Sequence, residues 1–164
     1  ASCESASEVV KAVKKNAKTP LLVKLSANVP NIGEIARAVE KAGADGITAI
    51  NTVGPGMVID LKARKPVLAN KSGGLSGPCV KPIMVRCVYD IYESVKIPIL
   101  ATGGITTGED AAEAILAGAC AVGIGTGIAY RGIEVFDLVK RELTTFMKKE
   151  KFESIDELIG VAHG

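Results

Sequence analysis

Two short stretches in the second half of the sequence could bind an anion through the main chain. Gly103 and Gly104 follow the aliphatic run Ile-Leu-Ala-Thr, and Gly125 and Thr126 follow a second aliphatic run. Glycine weakens strands and helices, so two adjacent glycines at the end of a strand indicate that another group comes close to the backbone. Main-chain amides without a neighbouring Cβ suit a phosphate, and the threonine can add a hydroxyl. The alternative is that Gly103 and Gly104 only allow a tight turn.

Three polar residues at the ends of earlier apolar runs are further candidates. Lys24 interrupts the run "LLVKLS", although a lysine is almost never fully buried unless it is paired. At a strand end it would stabilise negative charge on a bound ligand. Asn51 and Thr52, which end "AINT", offer an amide and a hydroxyl to a small polar ligand. The alternatives are an edge lysine that reaches solvent and a pair that caps neighbouring loops.

A long connection, residues 53–77, follows "AINT" and ends in the glycine-rich stretch "NKSGGLSG". Connections of this length without regular structure are usually binding loops or lids. Its inner part, residues 56–69, alternates enough to form a small hairpin. Gly77 directly precedes Pro78 and the next helix, so its amide could also face an anion. The alternative is a surface insertion without a role.

The elements that must position these residues alternate along the chain. Apolar residues at helical spacing and short aliphatic runs predict one helix followed by four strand–helix units. Aliphatic strands between helices indicate a parallel sheet. The predicted helices are 7–17, 31–43, 78–96, 108–119, 133–150 and 154–160, and the predicted strands are 20–26, 45–52, 97–104 and 120–126.

Two architectures fit this order, an open doubly wound sheet and a (β/α)8 barrel. The candidate polar residues all fall at the C-terminal ends of predicted strands, which form the catalytic face of a barrel, and this favours the barrel. A complete barrel needs eight strands and about 250 residues, whereas this chain has 164. The predicted fold is therefore α/β: residues 1–164 form a single domain of about four β/α units, the C-terminal half of a TIM barrel whose N-terminal half is absent. Such a half has two unpaired edges and one bare face, so we expect it to self-associate.

The composition excludes several classes of protein. Only 4% of the residues are aromatic and the net charge is +2, which favours neither nucleic-acid binding nor a membrane role. There is one histidine and no CxxC pair, so no metal site is expected. Scattered single cysteines are typical of a reducing, cytoplasmic setting. We expect Cys79, Cys87 and Cys120 to pack as small hydrophobic residues.

Five motifs together resemble one family. "VKLS", "AINT", "NKSGGLSG", "ATGGI" and "VGIGT" occur in the order and spacing of dihydroorotate dehydrogenases. The stretch "NTVGPGMVIDLKARKPVLANKSGGLSGPCVKPI" is similar to the NAD-linked, two-subunit branch in particular. Each motif is weak by itself, but the resemblance extends from about residue 7 to the end. It implies a (β/α)8 barrel that holds FMN at its C-terminal face.

The resemblance also implies roles for individual residues. Lys24 matches the lysine near the pyrimidine edge of the flavin ring, where it favours the anionic reduced form. Ile50 matches a residue that contacts FMN through its backbone. Asn51 and Thr52 match the pair that hydrogen-bonds dihydroorotate or orotate. The matching FMN contacts are Gly77 and, at the phosphate, Gly103, Gly104, Gly125 and Thr126.

The family chemistry implied is the oxidation of dihydroorotate to orotate in pyrimidine (UMP) biosynthesis, with loss of a proton from C5 and hydride transfer from C6 to the flavin. In this branch, the electrons pass to a partner subunit that carries FAD and a [2Fe–2S] cluster, and then to NAD. The alternatives are a related FMN barrel acting on another dihydropyrimidine and a non-catalytic half barrel that self-associates.

The sequence departs from the family at the general base, a cysteine in a Ser-Cys-Pro-Asn setting. Here Ser2-Cys3 is followed by Glu4-Ser5, and Cys3 is too near Lys24 in sequence to fit that loop. Cys3 is therefore not assigned as the base. Without a base, we expect the 164 residues by themselves not to turn over, since loss of a general base commonly costs about 10²- to 10⁴-fold.

Overall fold

The computed structural model describes residues 2–164. Seven α-helices and eight strands follow one another along this part of the chain. The helices are α1 (Cys3–Lys14), α2 (Ile32–Lys41), α3 (Lys81–Tyr92), α4 (Gly108–Leu116), α5 (Gly127–Arg131), α6 (Val135–Glu150) and α7 (Ile155–Leu158). The strands are β1 (Leu22–Leu25), β2 (Gly46–Ala49), β3 (Val53–Gly56), β4 (Ile59–Asp60), β5 (Lys65–Pro66), β6 (Gly73–Leu75), β7 (Ile99–Thr102) and β8 (Ala121–Gly123). Short 3-10 turns span Pro78–Val80 and Val161–His163.

The central sheet has four strands in the order β1-β2-β7-β8, and every neighbouring pair is parallel. Ala49 is paired with Leu25 on one side and with Ala101 on the other. Parallel strands end at the same edge of a sheet, so the residues that follow β1, β2, β7 and β8 lie side by side. The predicted α/β fold of about four β/α units is confirmed.

The helices pack in a row on one face of this sheet, from α1 through α2, α3 and α4 to α6. Ile47, Ala49, Ile99 and Ala101 are buried beneath them in one continuous core. The alternate residues of the same strands, such as Thr48 and Leu100, belong to the other face because side chains alternate along a strand, and they are only half-buried. Within residues 2–164, β1 and β8 each pair on one side only.

The helix α2 illustrates why the chain folds locally as it does. Asn31 has an extended backbone, and its side chain accepts a hydrogen bond from the Glu34 amide at 3.2 Å, which caps the first turn. Ile32, Ile35, Ala36 and Val39 follow at helical spacing and are buried. The sequence pattern and the packing therefore select the same face of this helix.

The structure differs from the sequence-based expectation at several elements. The first helix begins at Cys3 rather than near Ser7, because Ser2 caps it in a reciprocal box with Ser5. The hairpin expected within residues 56–69 is present as β4 and β5. The pairing of β3 with β6 and the short helix α5 were not predicted, since four or five residues carry too little periodicity to show.

The cysteine prediction is partly wrong. Cys87 is completely buried on α3, as expected, and burial raises the pKa of its thiol. Cys79 and Cys120 are exposed instead. Cys79 lies in the 3-10 turn before α3, and Cys120 directly precedes the edge strand β8, so both lie outside the helical face that buries Cys87.

No helix in the described part of the chain is both long and apolar enough to span a bilayer.

An acidic residue at the start of α4 fixes the loop that follows β7. The Asp110 carboxylate accepts hydrogen bonds from the Thr106 amide, the Thr106 hydroxyl and the Thr107 amide, each at 2.9 Å. The Lys81 ammonium lies 3.0 Å from the same carboxylate. Burial by itself raises the pKa of Asp110, but the bonds from Thr106, Lys81 and Thr107 outweigh it and lower the pKa to about 2.

We expect Asp110→Asn to destabilise the full-length protein by about 1–2 kcal/mol at neutral pH, because the loop loses a charged acceptor. A lowered folded-state pKa gives stability that is present above the unfolded value and lost as the pH falls. The difference in unfolding free energy should therefore shrink between about pH 4 and pH 2, as urea titrations can measure.

The control is Asp90→Asn, which breaks the exposed Arg86–Asp90 pair on α3. An exposed pair of this kind contributes about 0–1 kcal/mol. A stability difference for Asp110→Asn that stays constant across this pH range would contradict the assignment.

Candidate functional site

One small cavity lies at the C-terminal edge of the central sheet, with a volume of about 120 Å³. Every residue that the sequence analysis assigned to cofactor or substrate binding lines this cavity. These are Lys24, Ile50, Asn51, Thr52, Gly77, Gly103, Gly104, Gly125 and Thr126. Larger grooves occur elsewhere. One of about 540 Å³ between α4 and α6 contains none of these residues, and one of about 380 Å³ beside α1 and β1 shares Lys24 with the cavity.

The parallel sheet explains why residues so distant in sequence meet here. Lys24 lies in β1, Ile50 to Thr52 follow β2, the two adjacent glycines follow β7, and Gly125 and Thr126 follow β8. Gly77 reaches the same place because the long connection after β2 folds back, with β6 paired to β3. Asn28 holds the start of that connection, since its side-chain amide donates to the Gly54 carbonyl at 2.6 Å.

Backbone conformation and packing by themselves require glycine at positions 103 and 104. Both have positive φ, +146° and +78°. A Cβ on Gly104 would lie 2.7 Å from the Gly77 carbonyl oxygen, and one on Gly103 would lie 3.0 Å from the Met84 side chain. The alternative of a tight turn therefore explains both glycines.

Gly125 is different, since a Cβ there would meet no atom within 4 Å and would project into open space. Within residues 2–164, the amides of Gly103, Gly104, Gly125 and Thr126 donate to no protein acceptor. Most amides that are shielded from water in proteins are paired, and Gly103, Gly104 and Thr126 are half-buried here, whereas Gly125 is exposed. Four unpaired amides lining one cavity therefore form a group of donors that fits an anion.

The polar side chains beside these amides are also available to a ligand. Among the described residues, the side chains of Asn51 and Thr52 make no hydrogen bond to the protein, and both are exposed. Thr52 lies against Gly74, where a Cβ would be 2.1 Å from the Thr52 hydroxyl. Lys24 is exposed, and it is the one titratable side chain that lines the cavity in the described part of the chain.

Four lining residues were not singled out from the sequence: Leu75, Ser76, Val80 and Thr102. Ser76 accepts a hydrogen bond from the Thr126 hydroxyl at 3.0 Å, which joins the long connection to the end of β8. The position of Ser76 in the stretch "SGGLSG" was the available signal. The Thr102 hydroxyl donates to the Gly123 carbonyl at 3.1 Å and so serves the sheet.

An ion pair lies directly behind the two glycine loops. The Arg131 guanidinium lies 2.6 Å from Glu142, and Glu142 also accepts from the Gly108 amide at 2.7 Å. The hydrogen bond from Arg131 lowers the pKa of Glu142, and the same contact raises the pKa of Arg131. Both groups are therefore charged at neutral pH.

The fold and the cavity define an α/β protein of the barrel type, which gathers amides and polar side chains at the carboxyl ends of its strands. The family model described as "Dihydroorotate dehydrogenase" matches residues 1–147. This chain belongs to the dihydroorotate dehydrogenase family.

Relatives and solved structures agree with this assignment. The "Dihydroorotate dehydrogenase B (NAD(+)), catalytic subunit" of Methanothermobacter thermautotrophicus is 52% identical over 155 residues, which cover 94% of this chain and 51% of the relative. The protein of the same name from Brachyspira hyodysenteriae is 51% identical over 99% of this chain and 54% of the relative. DHODH from Eimeria tenella, solved in complex with ferulenol, superposes with a TM-score of 0.83 at 26% identity, covering 99% of this chain and 49% of that one. The chain thus spans about half the length of the curated relatives it matches.

We expect Gly104→Ala to destabilise the protein by about 2–4 kcal/mol, because its backbone has a positive φ and the new Cβ would press on the fixed Gly77 carbonyl. Gly125→Ala is the matched control. It adds the same atom in open space, so its unfolding free energy should stay within about 0.5 kcal/mol of the wild type. Chemical denaturation of both variants measures this, and equal losses would contradict the packing described for Gly104.

Proposed function

We propose that the protein to which this chain belongs oxidises dihydroorotate to orotate in pyrimidine biosynthesis, with FMN bound at the cavity described above. Residues 1–164 form the half of its barrel that holds the cofactor phosphate. The runner-up activity is the oxidation of another dihydropyrimidine at the same site. The four free cysteines are in keeping with a cytoplasmic enzyme.

The observation that carries the proposal is the set of unpaired amides of Gly103, Gly104, Gly125 and Thr126 in one cavity. A phosphate needs several convergent donors and space close to the backbone, and the open side of Gly125 provides that space. The residues present therefore fit the phosphate end of FMN. When bound, the flavin supplies the acceptor for the hydride of dihydroorotate.

Lys24, Asn51 and Thr52 act at the reacting end of the site, away from the phosphate of FMN. The ammonium of Lys24 adds a positive charge beside the cavity, which stabilises negative charge that develops during oxidation. The free amide and hydroxyl of Asn51 and Thr52 bind and orient the ring of dihydroorotate. The backbone of Ile50 and that of Gly77 complete the cofactor contacts.

The proton that leaves the substrate needs a base from outside this set of residues. Lys24 is the one titratable group lining the cavity among residues 2–164, and Cys3 starts α1 and packs against the core instead. We therefore expect the 164-residue chain by itself, even with FMN added, to show no turnover with dihydroorotate.

The final electron acceptor is proposed from the relatives, which are named NAD-linked catalytic subunits. We propose that a second subunit, carrying FAD and a [2Fe–2S] cluster, passes electrons from this site to NAD. We propose that the catalytic subunit also associates with copies of itself.

The test uses the full-length protein under anaerobic conditions. We expect its flavin absorbance to bleach with dihydroorotate and not with dihydrouracil. Lys24→Met should slow this bleaching by about 10²- to 10³-fold, because a preorganised charge is lost. Stopped-flow absorbance measures the rate.

The matched control is Lys41→Met, in the last turn of α2. The α2 helix ends just before β2 begins, so Lys41 lies at the opposite end of the sheet from the cavity. Its bleaching rate should equal that of the wild type. Bleaching with dihydrouracil instead would support the runner-up, and a correctly folded protein that takes up no flavin would refute the proposal.

A further inference from the structure

Arg131 connects the two loops whose amides line the cavity. It ends α5, the short helix that directly follows Gly125 and Thr126. Its guanidinium reaches across to the loop after β7 and donates to the Thr106 carbonyl at 2.7 Å. A single side chain thus joins the loop after β8 to the loop after β7.

Glu142, on α6, completes the connection from the other side. One of its oxygens accepts from Arg131 at 2.6 Å. The other accepts from the Gly108 amide, in the first turn of α4, at 2.7 Å, and from Arg131 at 3.2 Å. The guanidinium fork and the carboxylate therefore fix α4, α5 and α6 relative to one another.

The two loops also touch directly, which leaves little freedom once this connection is made. A Cβ on Gly127 would lie 2.9 Å from the Ile105 carbonyl oxygen. The side chains of Arg131 and Glu142 are 26% and 37% exposed, so the ion pair adds little to stability by its charge. Its effect is geometric, since it sets the distance between the amides of one loop and those of the other.

We propose that Arg131 and Glu142 are positioning residues that hold the two glycine loops in register, so that the amides of both loops converge on one phosphate. The inference rests on the proposed function, because it concerns the phosphate of FMN. Neither side chain lines the cavity, so each acts through the loops. A small error in the position of a fixed donor is enough to weaken binding strongly.

The experiment compares FMN with riboflavin, which has the same ring and lacks the phosphate. Dissociation constants of both are measured by flavin fluorescence on the flavin-free, full-length protein. The quantity of interest is the selectivity, the dissociation constant of riboflavin divided by that of FMN. We expect Arg131→Met to lower this selectivity by roughly tenfold or more, the effect of losing hydrogen bonds between charged groups.

Two further variants separate geometry from charge. Arg131→Lys keeps the positive charge but loses the planar guanidinium, which donates to three acceptor atoms. The stability of this variant should therefore be close to wild type, whereas its selectivity for FMN should fall. Glu142→Gln should lower selectivity in the same direction. Arg86→Met, at the exposed Arg86–Asp90 pair on α3, is the matched control and should leave the selectivity within about twofold.

Each outcome either supports or overturns the positioning role of Arg131 and Glu142. A purely structural role would weaken FMN and riboflavin by the same factor and leave the selectivity unchanged, which would overturn the inference. Should Arg131→Met fail to fold, the selectivities of Arg131→Lys and Glu142→Gln test the inference in its place. Equal affinity of the wild-type protein for FMN and riboflavin would instead reject the phosphate site itself, and with it the proposed function.

Discussion

The parallel alignment of β1, β2, β7 and β8 is the constraint on which the site depends. It brings the residues that follow each strand to one edge of the sheet, so that Lys24 and Thr126 line the same cavity. The helices between the strands serve this alignment, since they bury Ile47, Ala49, Ile99 and Ala101 on one face and return the chain to the start of the next strand. A shift of one residue in register would turn these side chains to the other face and remove both the core and the cavity.

The loops after β7 and β8 combine two properties that usually conflict. The amides of Gly103, Gly104, Gly125 and Thr126 make no hydrogen bond to the described part of the protein, yet the loops are held firmly. The Asp110 carboxylate fixes the first loop through Thr106 and Thr107. The close approach of Gly104 to Gly77 packs it against the long connection. Donors fixed before the ligand arrives need no reorganisation when it binds, which is the usual basis of tight anion binding.

Membership of the dihydroorotate dehydrogenase family agrees with this arrangement. The chain spans about half the length of its curated relatives. The volume of the cavity, about 120 Å³, is smaller than the roughly 300–1,000 Å³ of a typical enclosed ligand site. Within residues 2–164, one face of the central sheet is only half-buried and the outer edges of β1 and β8 are unpaired.

The sequence by itself determined the strand–helix order and the candidate residues. Apolar spacing in α2 and aliphatic runs in β2 and β7 are local properties of the sequence. The glycines and Lys24 were recognised as candidates because residues of these types are unusual within or beside aliphatic strands. Only the tertiary structure decided why Gly103 and Gly104 are both needed, that Cys79 and Cys120 are exposed, and that Ser76, Arg131 and Glu142 support the site. These depend on contacts between residues distant in sequence, and no local pattern records which side chain will meet which backbone once the sheet has formed.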